Sequence, residues 1–192
     1  DKKILEKTID VIKSIEIEGL NMNIKQFKTP NIFNAFIYKF IRKSKARRSF
    51  EYGVILTQKS ILTPTPIAYF ETFSWFGLKQ SYYVSQHVTY DFDFRVLIHD
   101  LKIPNRFEIL KQFTAFTFKL HEQKINFLDH SPGNTLIVKS DAGQYNFYLI
   151  DDKNLSVQQT SQLQATTDYH LNNRIAIPKK NEEVVRLFDR LI

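Results

Sequence analysis

Leu128-Asp129-His130-Ser131-Pro132-Gly133-Asn134, followed further on by Ile150-Asp151, is the stretch on which the reading of this chain turns. Between the two pieces the sequence spells a β-hairpin. Thr135–Val138 and Tyr145–Ile150 read as strands, and Ser140-Asp141-Ala142-Gly143 supplies the turn formers between them. Paired strands lie roughly 5 Å apart, so a hairpin brings its two open ends together. Asn134 stands at one open end and Asp151 at the other, while Asp129 lies in the loop that leads into the first strand. Two carboxylates and one carboxamide are therefore expected to face a common space.

Oxygen donors of this kind suit Mg²⁺, which is usually held by a few protein oxygens together with substrate phosphates. Phosphoryl transfer needs such a metal to neutralise charge on the transferring group, and a carboxylate to receive the hydroxyl proton. An aspartate with an asparagine five positions later is also the spacing of the kinase catalytic loop. This reading makes Asp129 the catalytic base and Asn134 and Asp151 the metal ligands, with ATP and Mg²⁺ as cofactors. The plain alternative is an ordinary turn, since Asp, Ser, Pro, Gly and Asn all favour turns. The aspartate at the end of the return strand, and a long helix expected before the loop, weigh against that alternative.

Composition agrees with a folded chain that meets anions. The 192 residues are enough for one domain or one two-lobed unit. Apolar residues make up 43%, including 17 Phe, which supports a core rather than disorder. Lys and Arg number 27 against 20 acids, a net charge of +7, so nucleotide, phosphorylated sugar or lipid head group are natural partners. Cysteine is absent, which excludes disulfides and thiolate metal sites. No run of about 18 apolar residues reads as a membrane span, and no signal-peptide pattern is visible. The five histidines, His87, His99, His121, His130 and His170, show no zinc spacing.

Other elements follow from local pattern. Ile15–Ile17 and Met22–Phe27 alternate as strands around a Glu18-Gly19 turn. Thr29-Pro30 is expected to open a helix whose Phe33, Phe36, Ile37, Phe40 and Ile41 form a buried stripe. The helical pattern continues through Arg47–Leu56 after a break at Ser44. Ile67–Phe73 and Ser81–Ser85 read as a hairpin around Trp75–Gly77. A helical region begins in Tyr90–His99. Pro104-Asn105 restarts it, with Phe107, Leu110, Phe113, Phe116, Thr117 and Leu120 as its buried stripe. Residues 156–173 read as irregular, and Asn181–Ile192 as a closing helix.

The segment from Leu120 through Asp129 and Asn134 to Ile137 resembles the catalytic segment of the lipopolysaccharide kinases, the Kdo and heptose kinase group. Ser49–Gly53 and Thr63–Glu71 are similar to small-lobe segments of that family, and Ser81–Ser85 to its strand entering the hinge. The resemblance covers roughly residues 15–155. It implies an α+β, protein-kinase-like two-lobed fold, with residues 1–86 as a sheet-rich lobe and 87–192 as a reduced helical lobe. It also implies ATP-dependent phosphorylation of a sugar hydroxyl of the lipopolysaccharide inner core, in the cytoplasm and peripheral on the inner membrane face. Carried over, Lys25 holds the nucleotide phosphates, Glu51 pairs with Lys25, and Ser85, Gln86 and His87 form the adenine hinge. Asp129 remains the base, with Asn134 and Asp151 on Mg²⁺. The chain departs from the wider kinase pattern in three places. It has no G-x-G-x-x-G, Phe127 stands where many kinases have His, and Asp151-Asp152-Lys153 replaces Asp-Phe-Gly.

Two of these residues also have simpler readings. Lys25 could be a solvated strand residue, and Glu51 could pair with Arg47 or Arg48 along its own helix. Lys39, Arg42, Lys43, Lys45, Arg47 and Arg48 form a run without an acid, either a solvated helix face or a dock for an anionic membrane surface. Nucleic acid is disfavoured, because the interleaved aromatics follow a helical period rather than a stacking platform. Only 41 residues follow Asp151, with no A-P-E motif, so a small or lipid-linked acceptor suits better than a protein. The rival functions are a pseudokinase or binding module without transfer, and a kinase for another small molecule or protein.

Overall fold

A computed structural model describes residues 10–127, 132–150 and 155–157. The chain divides into two compact units. The first comprises the described residues up to Glu51 together with Thr65–His87. The second comprises Tyr52–Pro64 and the described residues from Val88 to Val157. Residues 52–64, grouped with the first lobe in the sequence reading, therefore pack within the second unit.

The first unit is built on an antiparallel sheet. Its strands are β1 (Val11–Ile17), β2 (Leu20–Gln26), β3 (Pro66–Phe73) and β4 (Leu78–Gln86), in the order β1-β2-β4-β3. Glu18 and Gly19 both have positive φ, at 51° and 78°. That is the backbone a tight two-residue hairpin turn needs, and glycine adopts it freely. One sheet face buries Met22, Ile67, Ala68 and Val84. Because strand side chains alternate, Lys25, Tyr83 and Tyr69 occupy the other face. There Phe27 and Tyr83 pack against Ala46, with Phe50 and Tyr69 alongside.

Two helices lie between β2 and β3 in the chain, α1 (Ile32–Phe40) and α2 (Lys45–Gln58). Thr29-Pro30 does not cap α1; the cap is Asn31, whose side chain accepts from the Asn34 N–H at 2.9 Å. The expected buried stripe of α1 is also corrected. Phe33, Phe36, Phe40 and Ile41 are exposed, and the buried residue of the helix is Ala35. The break at Ser44 is present and has a cause. Ser44 is fully buried, and its Oγ accepts from the Arg47 N–H at 3.0 Å, capping α2.

The second unit contains α3 (Phe94–His99), α4 (Arg106–Glu122), a sheet of β5 (Phe92–Asp93), β7 (Thr135–Lys139) and β8 (Tyr145–Leu149), and a separate ladder of β6 (Ile125–Phe127) with β9 (Leu155–Val157). Helix in the Tyr90–His99 region is confined to α3, because Phe92-Asp93 pairs with β7 and Asp93 then caps the helix. Residues 156 and 157 belong to β9, and 158–173 lie outside the described residues, as does the expected closing helix. Leu97, Ile109, Ile137 and Phe147 form one core, which Phe113 joins through ring contacts with Phe94 and Phe147. Leu56, Ile61, Leu120, Ile125 and Leu149 form another. Phe107, expected inside, is exposed, and Ile109 is buried in its place.

Candidate functional site

In the second unit the β7–β8 hairpin forms as its turn residues dictate, with Thr135 opposite Leu149 and Lys139 opposite Tyr145. Asn134 ends a single 3₁₀ turn, Pro132–Asn134, directly before β7. Its backbone carbonyl accepts from the Ile150 N–H at 2.9 Å, so the ladder continues one step past the last paired residues. The chain entering residue 151 is thereby held beside Asn134. Asp129 and Asp151 themselves lie outside the described residues. Among the described residues, no group of three or more acids or histidines stands together as a metal site.

Two further devices fix this hairpin mouth. Leu149 is clamped on its other flank, where its N–H donates to the Leu62 carbonyl at 3.0 Å. Its carbonyl accepts from the buried Thr63 Oγ1 at 2.9 Å. Over the 3₁₀ turn sits Arg95. A methyl group on Gly133 would lie 2.7 Å from the Arg95 guanidinium, so glycine is what permits the approach. Asp93 holds that guanidinium with contacts of 3.0 Å to Nε and to Nη2, while its other oxygen caps α3 at the Arg95 N–H. Thr63 and Arg95 were not singled out from sequence. Both act across long sequence separations, which local pattern does not reveal.

In the first unit Lys25 is on β2 and Glu51 on α2, and the sheet face bearing Lys25 is the one α2 packs against. Lys25 Nζ is 5.3 Å from the centroid of the Phe27 ring. The Glu51 carboxylate is buried and accepts from Lys43 Nζ at 2.8 Å and Arg47 Nε at 2.9 Å. The same-helix partner weighed in the sequence thus exists, although the glutamate is not on the surface. Lys43 is a partner that helical spacing could not indicate, because it precedes the helix. Burial works against charge on Arg47, but the hydrogen bond it donates to Glu51 and the charges of Tyr69, Glu51 and Glu71 outweigh it, so the guanidinium is held above its ordinary range.

The hinge segment ends β4. Ser85 is buried. The Gln86 N–H donates to the Thr65 carbonyl at 2.9 Å, and the His87 N–H to the Asn21 carbonyl at 2.8 Å. His87 Nδ1 lies 3.1 Å from Asn23 Oδ1, which also accepts from Ser14 Oγ at 2.7 Å. With the oxygen as acceptor, the imidazole proton sits on Nδ1. A cavity of about 300 Å³ in this unit is lined by Lys28, Asn31, Asn34, Lys45 and Ser81, among others. None of Lys25, Glu51 or Ser85–His87 lines it.

No protein-family profile matches this chain, and no curated protein matches it. Solved structures do. One described as WaaP in complex with acyl carrier protein is 18% identical with a TM-score of 0.51, over 84% of this chain and 65% of that one. The fold is protein-kinase-like. A MAP kinase from Leishmania major is 16% identical with a TM-score of 0.47, over 75% of this chain and 42% of its own. The chain thus spans slightly less than two thirds of the WaaP chain. Within a kinase-like fold, the sheet with its packed helix and the hairpin preceded by a long helix are the two assemblies the sequence reading anticipated. Among the described residues no helix is long and apolar enough to cross a membrane.

Proposed function

We propose that the chain is an ATP-dependent phosphotransferase acting on a sugar hydroxyl, with the lipopolysaccharide inner core as its acceptor. The observation that supports this best is the hydrogen bond from Ile150 N–H to the Asn134 carbonyl, which keeps the residue before Asp151 against Asn134. Asn134 and Asp151 would then hold Mg²⁺, a carboxamide and a carboxylate being the hard oxygen donors that this ion takes. When bound, the metal neutralises charge on the β- and γ-phosphates. Asp129 accepts the proton of the acceptor hydroxyl. Lys25 meets the nucleotide phosphates; Glu51, whose two carboxylate oxygens are held by Lys43 and Arg47, would steady Lys25 only after releasing one of them.

The hinge part of this reading is narrowed. The N–H groups of Gln86 and His87 already serve the chain's own sheet, so adenine is not read by those two donors. The absence of a glycine-rich loop from the sequence favours the second reading, a nucleotide-sensing module without transfer.

The test is calorimetric titration of ATP with and without Mg²⁺, beside phosphate transfer to purified lipopolysaccharide core and to a generic protein. We expect metal-dependent binding and transfer to the glycan. Asp129→Asn should abolish transfer and spare ATP binding, and Asp151→Ala should remove the Mg²⁺ dependence. Parental turnover in the first variant would sink the base assignment. Metal-dependent binding without transfer to either substrate would favour the sensing module.

A further inference from the structure

The cavity of about 300 Å³ in the first unit has no role in the phosphotransfer reading, yet its lining has a chemistry of its own. It lies where the chain leaving β2, the first turns of α1 and α2, and strand β4 meet. Its walls are fixed by short contacts. The Phe27 N–H donates to the Ser81 carbonyl at 3.0 Å. Gly77 approaches α1 so closely that a Cβ there would lie 2.4 Å from the Ala35 backbone. Lys39 Nζ, farther along α1, holds the β3–β4 turn by the carbonyls of Ser74 and Trp75, each at 3.0 Å. Most small-molecule sites are preformed in this way.

Two cations line this space, Lys28 and Lys45, and among the described residues no acid does. Neither ammonium has an ion pair or hydrogen bond among the described residues, and the acids nearby are engaged elsewhere. Glu51 holds Lys43 and Arg47, and Asp10 accepts from the Lys28 backbone N–H at 2.9 Å. Lys45 is moreover the first residue of α2, where a cation faces the positive end of the helix dipole. An anion placed between them turns that repulsion into two attractions.

The hydrogen-bonding groups point the same way. Ser81 is 4% exposed, and its hydroxyl has no partner among the described residues although buried hydroxyls usually find one. It is not sealed among protein atoms either, since it opens on the cavity. The Asn31 side-chain oxygen is spent on the Asn34 N–H, which leaves its amide hydrogens to donate. Phe27 and Leu78 supply a buried apolar wall.

We propose that this cavity binds a small phosphomonoester. The two ammonium groups match the charge of a phosphate ester, about −1.5 to −2 at pH 7, where a carboxylate would leave one of them uncompensated. Ser81 and Asn31 donate to the phosphate oxygens, and the organic group lies against Phe27 and Leu78. A volume at the lower end of the usual range of about 300–1,000 Å³ suits a small ester. None of Lys25, Glu51 or Ser85–His87 lines the cavity, so this site and the phosphotransfer reading can each fail alone.

The test is titration of the full ¹⁵N-labelled chain with glycerol 3-phosphate, inorganic phosphate and acetate, followed by its amide spectrum. We expect glycerol 3-phosphate to bind tightest and acetate weakest, with shifts gathered at residues 28–34, 45–46 and 81. Bound Mg²⁺-ATP should leave those shifts in place. Lys45→Gln should weaken glycerol 3-phosphate about tenfold, the value of one charge-assisted hydrogen bond. Ser81→Ala should cost about fivefold, and Lys28→Gln, at an exposed position, about threefold. Asn34→Asp separates binding from folding. A carboxylate in the first turn of α1 is favoured by the helix dipole, so the melting temperature should hold or rise while affinity falls at least about tenfold.

Several outcomes would overturn the proposal. Shifts scattered over surface lysines, or no shift with any of the three anions, would refute the site. So would parental affinity in both Lys45→Gln and Asn34→Asp. Acetate binding as tightly as the ester would refute the phosphate assignment, and inorganic phosphate binding tighter than the ester would make the ligand the free ion. Displacement of glycerol 3-phosphate by Mg²⁺-ATP would make the cavity part of the nucleotide site.

Discussion

Replacing Thr63 with valine should loosen the hairpin mouth by a calculable amount. Thr63 is buried, and its Oγ1 donates to the Leu149 carbonyl at 2.9 Å. Valine keeps the branched shape and removes the donor. Losing the net value of one neutral hydrogen bond costs about 1 kcal/mol, and a buried carbonyl left without its partner raises that to about 1–3 kcal/mol. A methyl in place of the hydroxyl returns up to about 0.8 kcal/mol of apolar burial. The expected net loss is about 1–2 kcal/mol. With a urea slope of about 2 kcal/mol/M, the unfolding midpoint falls by about 0.5–1 M. The control is Thr114→Val, the same chemical change at an exposed helical threonine whose Oγ1 bonds to the Leu110 carbonyl. That variant should stay within about 0.5 kcal/mol of the parent. Equal midpoints for the two variants, or a Thr63→Val chain as stable as the parent, would refute the clamp on Leu149.

Gly77→Ala should destabilise the first unit by about 1–3 kcal/mol, at the upper end because the atoms a Cβ would strike are backbone of α1; thermal unfolding measures it, and an unchanged midpoint would mean the turn is not seated on the helix. Gly133→Ala should displace the Arg95 guanidinium from the 3₁₀ turn, a change in stability of under about 1 kcal/mol because the Arg95 side chain is exposed and free to swing outward; the readout is the Mg²⁺-ATP affinity beside the unfolding midpoint, and a loss of several kcal/mol would show that the side chain cannot swing away. Burial pushes the Tyr69 hydroxyl above its ordinary value of 10.0, with Arg47 opposing and Glu71 and Glu51 adding to the rise, and burial alone raises Tyr82. The folded chain then keeps these protons to higher pH than the unfolded one, so stability is intact below pH 10 and falls as pH climbs beyond it. Tyr69→Phe with Tyr82→Phe should flatten that decline in pH-dependent urea titrations.

The sequence made the hairpins legible because their turns are chemically marked, the first by Gly19, which takes the positive φ found there, and the second by the turn formers of residues 140–143. Ser44 was legible as a break for the same reason, since a serine before a helical run is a cap. The side of α1 that faces the protein was not. An apolar period says that a helix has a face, not which surroundings take it, and the protein uses Ala35 where the phenylalanines were expected. Phe107 and Ile109 were exchanged by an error of two positions along one helix. Of the candidate site, the adjacency of Asn134 to the end of the return strand followed from hairpin geometry alone. Lys43 on Glu51, Thr63 on Leu149 and Arg95 over Gly133 join residues that no local rule relates.

The strand order β1-β2-β4-β3 also sets a sequence of events in time. Two hairpins, β1–β2 and β3–β4, need only short loops and close within microseconds. The ladder between β2 and β4 must wait until residues 27–77 have been gathered in, a far larger loss of chain freedom. On the ribosome, Met22 and Ile24 leave the exit tunnel well before Val84, the neighbour that covers them, has been made. For that interval β2 offers an unpaired edge with an apolar side, the kind of surface on which a nascent chain binds a chaperone or another copy of itself.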